Sequence, residues 1–527
     1  MSKFNTTGVT AARTATGPIV ASPVATSTTY EGAPAYLREP KSELFLAAVS
    51  SFLEDTFYEK NTDRVSRIKG LVRTVIKEDP EWVSQFAYWL RSEANLRSVS
   101  LVVALEGAKA LLDFKMPGGK QLVASVLQRA DEPGEALAYW HSTYGRKVPQ
   151  PVKRGIANAA KRLYSERSLF KYDTPSHSLR FADVIQLTHP EPATPRQSAL
   201  FKFALDRRYN PKAEVPAVLS VATARTEVKS LSGAELRRLA DTGELAEHIR
   251  KSGMTWEALS SVIAGGMDAK AWEAVIPSMG YMALLRNLRN FIQAGVSKDV
   301  LKSVAARIAD TEEIAKSKQL PFRFLSAYNA VKTSTIFVNP LEEALEASLA
   351  NVPALKGNTL ILVDRSGSMF WAMSDKSEMT NADAAALFGS ALALRAEKAT
   401  LVQYGSSSNE ISFNKGDSVL PMIRKFGDLG GTNTAATLRH WYKRGYDRVI
   451  VLTDEQAHGW YGDVSDVSKA IPANVPMYTW NLVGYKGGST ESSPTRLTFG
   501  GLSDKSFEMI DLIERGRNGD WPWLSAN

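Results

Sequence analysis

LILVDRSGSMFWAM, residues Leu360–Met373, decides how this chain divides. Its aliphatic start reads as a strand buried on both faces. The strand ends in an aspartate, and serines follow at alternating positions. Asp364, Ser366 and Ser368 place three small oxygen ligands on a turn where apolar packing needs none of them. Downstream, NTLILVD, ATLVQYG and RVIVLTD repeat the pattern of an apolar run ending in a polar turn, and VPMYTWNLVGY supplies a further strand. NADAAALFGSALALRAEKA and TNTAATLRHWYKRG lie between them as helical stretches, and KSFEMIDLIERG is a final helix. Such alternation predicts a parallel sheet covered on both faces, an α/β doubly wound domain over 356–527. Ligands in that architecture collect at the carboxyl ends of strands, where Asp364 and Asp454 both fall.

Upstream the periodicity changes. Segments such as SELFLAAVSSFLEDTFY, DPEWVSQFAYWLRSEANL and SVSLVVALEGAKALLDF carry apolar residues three and four apart, the signature of amphipathic helices. Pro80, Pro117-Gly118-Gly119, Pro133-Gly134 and Pro149 punctuate them, and Asp79 stands before Pro80 as an N-cap. Helix pairs joined by short turns over 34–355 predict an all-α array of HEAT-like repeats. Residues 1–33, rich in Thr, Ala, Ser and Pro, read as a disordered tail.

Composition bounds the chemistry. A chain of 527 residues is too long for one core. It has no cysteine, which excludes disulfides, thiolate zinc sites, iron–sulfur clusters and a cysteine nucleophile. No apolar run is long enough to span a bilayer and the N-terminus makes a poor signal peptide, so a cytoplasmic protein without membrane contact is expected. The net charge of +8 is unevenly spread: from Val352 onward 18 Lys/Arg face 19 Asp/Glu, leaving all of the positive excess in the helical part. A polyanion partner for that part follows.

Two constellations carry the function. The first joins Asp364, Ser366 and Ser368 to Thr432 of the GGTNT loop and Asp454 of LTDEQ. Two carboxylates and three hydroxyls form an oxygen-only set suited to a divalent cation, Mg²⁺ foremost, with Mn²⁺ or Ca²⁺ as the other hard ions. The second is RKVPQPVKRGIANAAKRLYSERSLFKY, which concentrates Arg146, Lys147, Lys153, Arg154, Lys161, Arg162 and Lys171. Arg154, Lys161 and Arg162 share one helix face. Tyr164, Phe170 and Tyr172 interleave with the cations and offer rings for base stacking.

These motifs resemble known families. Asp364-x-Ser-x-Ser after a strand, with Thr432 and Asp454 in order, is similar to the metal-ion-dependent adhesion site (MIDAS) of von Willebrand factor A domains. RFADVIQLTHPEP, AWEAVIPSMGYMALLRNLRNF and QLPFRFLSAY resemble the TROVE module of telomerase-associated, Ro and vault-associated proteins. A TROVE module followed by an A domain is the order found in the Ro family. The resemblance implies a ring of helical repeats closed by the A domain. It also implies a ribonucleoprotein scaffold that binds Y RNA-like small noncoding RNAs on an outer basic surface and takes single-stranded ends of misfolded RNAs into a central hole. It makes His189 of QLTHPEP and Lys171 of FKY RNA contacts, with Arg180 a substitute where DTPSH departs from the family's basic pattern. Function as a monomer, with an exoribonuclease as a further partner, belongs to the same expectation. The chain lacks a nuclease-like acidic cluster or a Walker loop, so a non-catalytic role is expected. The competing reading is a metal-dependent adhesion or adaptor protein acting through the A domain.

Overall fold

The computed structural model describes residues 21–28, 34–38, 40–49, 61–210, 212–317, 319, 321–350, 352–372, 379–454, 466–482, 495–500, 506–516, 521 and 523. The chain separates into two compact units, residues 75–313 and residues 1–74 together with 314–527.

The unit of residues 75–313 is helical throughout its described secondary structure. Asp79 caps the helix Pro80–Ser92 as its spacing predicts, accepting from the Trp82 amide at 3.0 Å. Six helices position the candidate RNA residues: α1 (Gly119–Val126), α2 (Gln150–Leu163), α3 (Glu166–Tyr172), α4 (Phe181–Thr188), α5 (Pro195–Tyr209) and α6 (Ser220–Ser230). α2 packs on α1 through Val152, Gly155, Ile156, Ala159 and Ala160, and α4 packs on α2 and α5. Gly155 permits the close approach, since a Cβ there would stand 2.8 Å from the Lys120 carbonyl oxygen. Burying that face turns Arg154, Lys161 and Arg162 outward.

A buried charge braces the same unit. Glu132 is 1% exposed and accepts from the Arg91 guanidinium at 2.9 Å. Its other oxygen takes the amides of Gln128 and Arg129 at 2.6 and 2.8 Å. The carboxylate thus exchanges water for three charge-assisted bonds.

The second unit is built on a sheet. Its strands are β3 (Leu355–Asp364), β4 (Ala396–Tyr404), β5 (Ser408–Glu410), β6 (Arg448–Thr453), β7 (Met477–Asn481) and β8 (Arg496–Gly500), after an N-terminal pair β1 (Ala21–Thr28) and β2 (Pro34–Arg38). The order is β5-β4-β3-β6-β7-β8, parallel except for β5, which runs antiparallel to β4 at the edge. The expected all-parallel sheet is therefore mixed. Helix α7 (Asn381–Arg395) lies against β3 and β4, and Gly389 brings it close: a Cβ there would meet Val363 Cγ2 at 2.6 Å.

Two boundaries differ from the sequence reading. Ala21–Thr28, assigned to a disordered tail, pairs antiparallel with Pro34–Arg38, because its Val and Thr residues favour extended backbone. The helices Pro321–Val331 and Val338–Leu349, placed with the repeats by a division at 355/356, lie in the same compact unit as the sheet. Arg424 donates to the Tyr328 hydroxyl at 2.7 Å, and the Val419 amide to Glu346 at 2.7 Å. Helical periodicity cannot reveal which neighbour a helix packs against.

Replacing Glu132 with Ala leaves the buried Arg91 guanidinium without its carboxylate and also removes the partner of Arg97 and of two half-buried amides. A loss of about 3–5 kcal/mol is expected for the helical unit, read as a lower urea midpoint in far-ultraviolet circular dichroism. An unchanged midpoint would show that water answers these groups equally well.

Candidate functional site

Asp364 ends β3, and β6 lies beside it in parallel with Val363 opposite Leu452. This register sets Asp364 against the end of β6, where Asp454 follows Thr453. Both aspartates are buried, at 0% and 1% exposure. Thr453 donates its hydroxyl to Asp364 Oδ2 at 2.6 Å, and the Ser366 amide donates to Oδ1 at 2.9 Å. Tyr404 lies 3.5 Å from the same carboxylate, and the Thr434 hydroxyl donates to Tyr404 at 3.3 Å. Burial pushes the Asp364 carboxyl up to about 6, and the Asp454 charge acts in the same direction.

The hydroxyl loop is held against this point. Ser366 and Gly430 form a parallel bridge, and the Gly367 amide donates to the Gly430 carbonyl at 2.7 Å. Gly430 has φ +74°, a conformation that glycine adopts without strain. Gly431 donates to Ser406 Oγ at 2.8 Å, and half-buried Thr432 follows, ahead of helix α8 (Thr434–Trp441). Ser366 and Ser368 hydroxyls stand 3.4 Å apart. The three loops thus meet at one end of the sheet.

Sequence reading missed what holds the loops. Arg365, 5% exposed, sends its guanidinium to the carbonyls of Gly427 and Ala382, each at 2.7 Å, and lies over the Phe370 ring at 4.7 Å. It fastens the hydroxyl loop to the start of α7 and makes its hydrogen bonds to those carbonyls, with Asp364 acting on it only through the field, behind Asp383 and Asp428. An arginine between Asp364 and Ser366 was visible, but its direction was not. Thr453 and Tyr404, which orient the carboxylate, looked like strand residues. The donor set fits a hard divalent cation: an oxygen-only group in which two neighbouring buried carboxylates resist sharing negative charge.

On the helical unit, Arg154, Lys161 and Lys171 are exposed, as are Arg146 and Lys147 in the loop before α2; Lys153 is half-buried. Lys171 places its ammonium 5.1 Å from the Tyr172 ring centre. His189 is exposed and is neither an N-cap nor a core residue. It ends α4 in the left-handed region, φ 49° and ψ 59°, with its amide on the Ile185 carbonyl at 2.9 Å. Pro190 disfavours a right-handed helical conformation there, and the imidazole stands on the surface.

Other expected contacts are engaged elsewhere. Arg162 is exposed, yet its guanidinium donates to the carbonyls of Ala124 and Leu127 at the end of α1, where the helix dipole favours a cation. Arg180 forks onto Asp173 at 3.3 and 2.5 Å, with its side chain only 12% exposed, so it does not replace a surface cation. Tyr164 offers no stacking face: it is 5% exposed and lies flat on Phe181, centroids 3.8 Å apart. The alternation of rings and cations along the sequence does not reveal which rings the repeats bury.

Residues 248–357 match the TROVE domain model. This range includes AWEAVIPSMGYMALLRNLRNF and QLPFRFLSAY but not the segment around His189. Telomerase protein component 1 of Mus musculus and that of Rattus norvegicus are each 35% identical over 79 residues, 15% of this chain. The match spans about 3% of the length of these curated relatives. The crystal structure of the Ro (RSR) protein of Deinococcus radiodurans superposes with a TM-score of 0.67 at 18% identity, covering 92% of this chain and all of that one. Residues 248–357 therefore resemble the TROVE domain, and the chain shares the fold of the Ro protein, a helical region followed by an α/β domain.

Proposed function

We propose that this protein is a non-catalytic RNA-binding scaffold of a Ro-type ribonucleoprotein. Its helical unit binds Y RNA-like small noncoding RNAs and single-stranded ends of misfolded RNAs, in RNA quality control. One observation carries this reading: Arg154 and Lys161 stand on the exposed face of α2, with Lys171 exposed on α3, which follows α2 in the chain, and His189 exposed at the end of α4, which packs on α2. Arg146 and Lys147 extend the basic surface ahead of α2. Ammonium and guanidinium groups neutralise phosphates, and an exposed imidazole supplies a hydrogen bond or a stacking surface. The TROVE match and the Ro fold support the same reading. It places the protein in the cytoplasm as a monomer, with an exoribonuclease as a processing partner.

The α/β unit holds one divalent cation, Mg²⁺ first, on Asp364, Ser366, Ser368, Thr432 and Asp454. Bound there, the ion offsets two buried carboxylates and leaves a coordination position for an outside oxygen.

Replacing Arg154, Lys161 and Lys171 together with Ala removes three exposed cations and leaves the carbonyl-bound Arg162 in place. The affinity for a structured small RNA should fall, and the slope of log K against log salt should flatten by about 2–3, measured by fluorescence anisotropy between low and moderate salt. A slope equal to that of the unmodified protein would sink the proposed surface.

Isothermal titration with Mg²⁺ should find one site per chain in the unmodified protein and none in Asp364→Ala. The same variant should keep its RNA affinity within about twofold. If it lost RNA binding while the triple variant kept it, the α/β unit would be the RNA or adaptor site instead.

A further inference from the structure

The ring of Phe170, on α3, has guanidinium groups near it from two other helices. Arg207 of α5 lies 5.0 Å from the ring centre and Arg225 of α6 lies 5.4 Å from it. Lys229 stands one helical turn beyond Arg225 on the same face of α6. Two guanidinium groups therefore flank one aromatic side chain with Lys229 close to both; burial lowers the proton affinity of Arg225 and of Lys229, and the Arg207 charge adds to it in each.

The acids nearby answer this charge only in part. Asp173 forks onto Arg180 and pairs with Arg207 at 3.6 Å, and no ion pair to Arg225 is found among the described residues. Glu166 is spent on Arg196 at 2.6 Å and on the Ala222 amide at 2.9 Å. Arg225 is 6% exposed, and its Nε and Nη1 atoms have no hydrogen-bond partner among the described residues. A guanidinium deprived of both water and acceptors is costly. Stacking on an aromatic ring recovers only a part of that cost. The side chain of Arg207 is 24% exposed, which sets it at the solvent margin of the cluster, while Arg225 lies beneath.

We propose that Arg225, Arg207 and Lys229, gathered around Phe170, form a phosphate-binding pocket in the helical unit, taking a phosphodiester of bound RNA or a free phosphate ion. The two guanidinium groups present N–H forks that match phosphate oxygens, and Lys229 adds a flexible point charge near the mouth. Phe170 is then a spacer that holds the two forks apart around the anion, rather than a stacking platform for a base. The pocket includes none of the cations assigned above to the α2 surface. Its RNA arm rests on the RNA-binding reading; its inorganic arm does not.

The full-length protein, Arg225→Gln and Arg207→Gln are compared, each checked for native circular dichroism. Arg207→Gln, at the solvent margin, keeps the test open if the buried substitution fails to fold. Inorganic phosphate is titrated calorimetrically in phosphate-free buffer against chloride at equal ionic strength. A single-stranded RNA oligonucleotide is titrated separately by anisotropy across a salt series. Phosphate is expected to bind saturably to the unmodified protein and at least tenfold more weakly to the variants. The RNA salt slope is expected to flatten by about 0.7–0.9 per lost contact. Phosphate displaced by RNA assigns the pocket to the RNA backbone, and phosphate retained under saturating RNA assigns it to the free ion; both uphold the site. Loss of RNA affinity in the variants without inorganic phosphate binding upholds a pocket for phosphodiesters only. Phosphate binding that survives unchanged in both variants overturns the proposal, as does the absence of phosphate binding with unaltered RNA affinity and slope. A protein that binds phosphate through Arg225 and Arg207 but binds no RNA would retain the pocket and refute the RNA reading.

Discussion

The bond from the Thr453 hydroxyl to Asp364 joins the ends of the two central strands, and the loops above the sheet are arranged around it. The carboxylate it holds has no contact with bulk water. A buried charge has to be met by donors, a counter-ion or a proton. Asp364 has a hydroxyl at 2.6 Å and an amide at 2.9 Å, but Asp454 adds a second negative charge beside it. Arg365, the nearest cation in sequence, turns to the carbonyls of Gly427 and Ala382. Those bonds fix the loop that carries Thr432. One residue pair thus separates two tasks: Asp364 keeps its charge for the site and Arg365 gives its charge to the scaffold.

The same constraint sorts the helical unit. Glu132 is met by Arg91, Arg97 and two amides, and its neighbourhood is structural. Arg180 and Asp173 meet each other and are equally closed. Arg225 is the exception, buried with two nitrogens unanswered. Charge pairing is therefore a better guide to function here than charge density. The densest basic run in the sequence contains Arg162, which the end of α1 consumes, whereas the segment TARTEVKS around Arg225 is unremarkable in composition.

That contrast explains how far the sequence could be read. Runs such as LILVD and RVIVLTD need only their own composition to declare a buried strand, and Asp79-Pro80 declares a helix start by local chemistry. The meeting of Asp364 with Asp454 followed from topology, because parallel strands put their carboxyl ends on one side. Side-chain direction was not legible. Tyr164 lies flat on Phe181 because α4 folds back onto α2, a contact between residues 17 positions apart with no periodic signal. Arg180 could pass for a surface cation until Asp173 was seen to hold it. The short strands β5 and β8 were missed for a related reason: their extended backbone is stabilised by a neighbour's ladder more than by their own residues.

The two proposed sites differ in sign, and this limits how they can share a ligand. The seat at Asp364 and Asp454 carries two formal negative charges, so without a cation it repels phosphate. With a divalent ion the formal charges balance, and what remains is a directional acceptor for one oxygen rather than a field that gathers a polyanion. The helical unit has the opposite arrangement: exposed cations distributed over α2 and α3, which on the proposed reading attract RNA at a distance, and buried Arg225, which on the proposed reading recognises one phosphate at contact. Long-range attraction belongs to the part of the chain that holds all of the positive excess. The α/β unit, nearly neutral in its formal charges, suits a ligand that approaches by shape and binds through a single oxygen. On the proposed reading, RNA capture and metal-mediated contact therefore do not compete for the same partner.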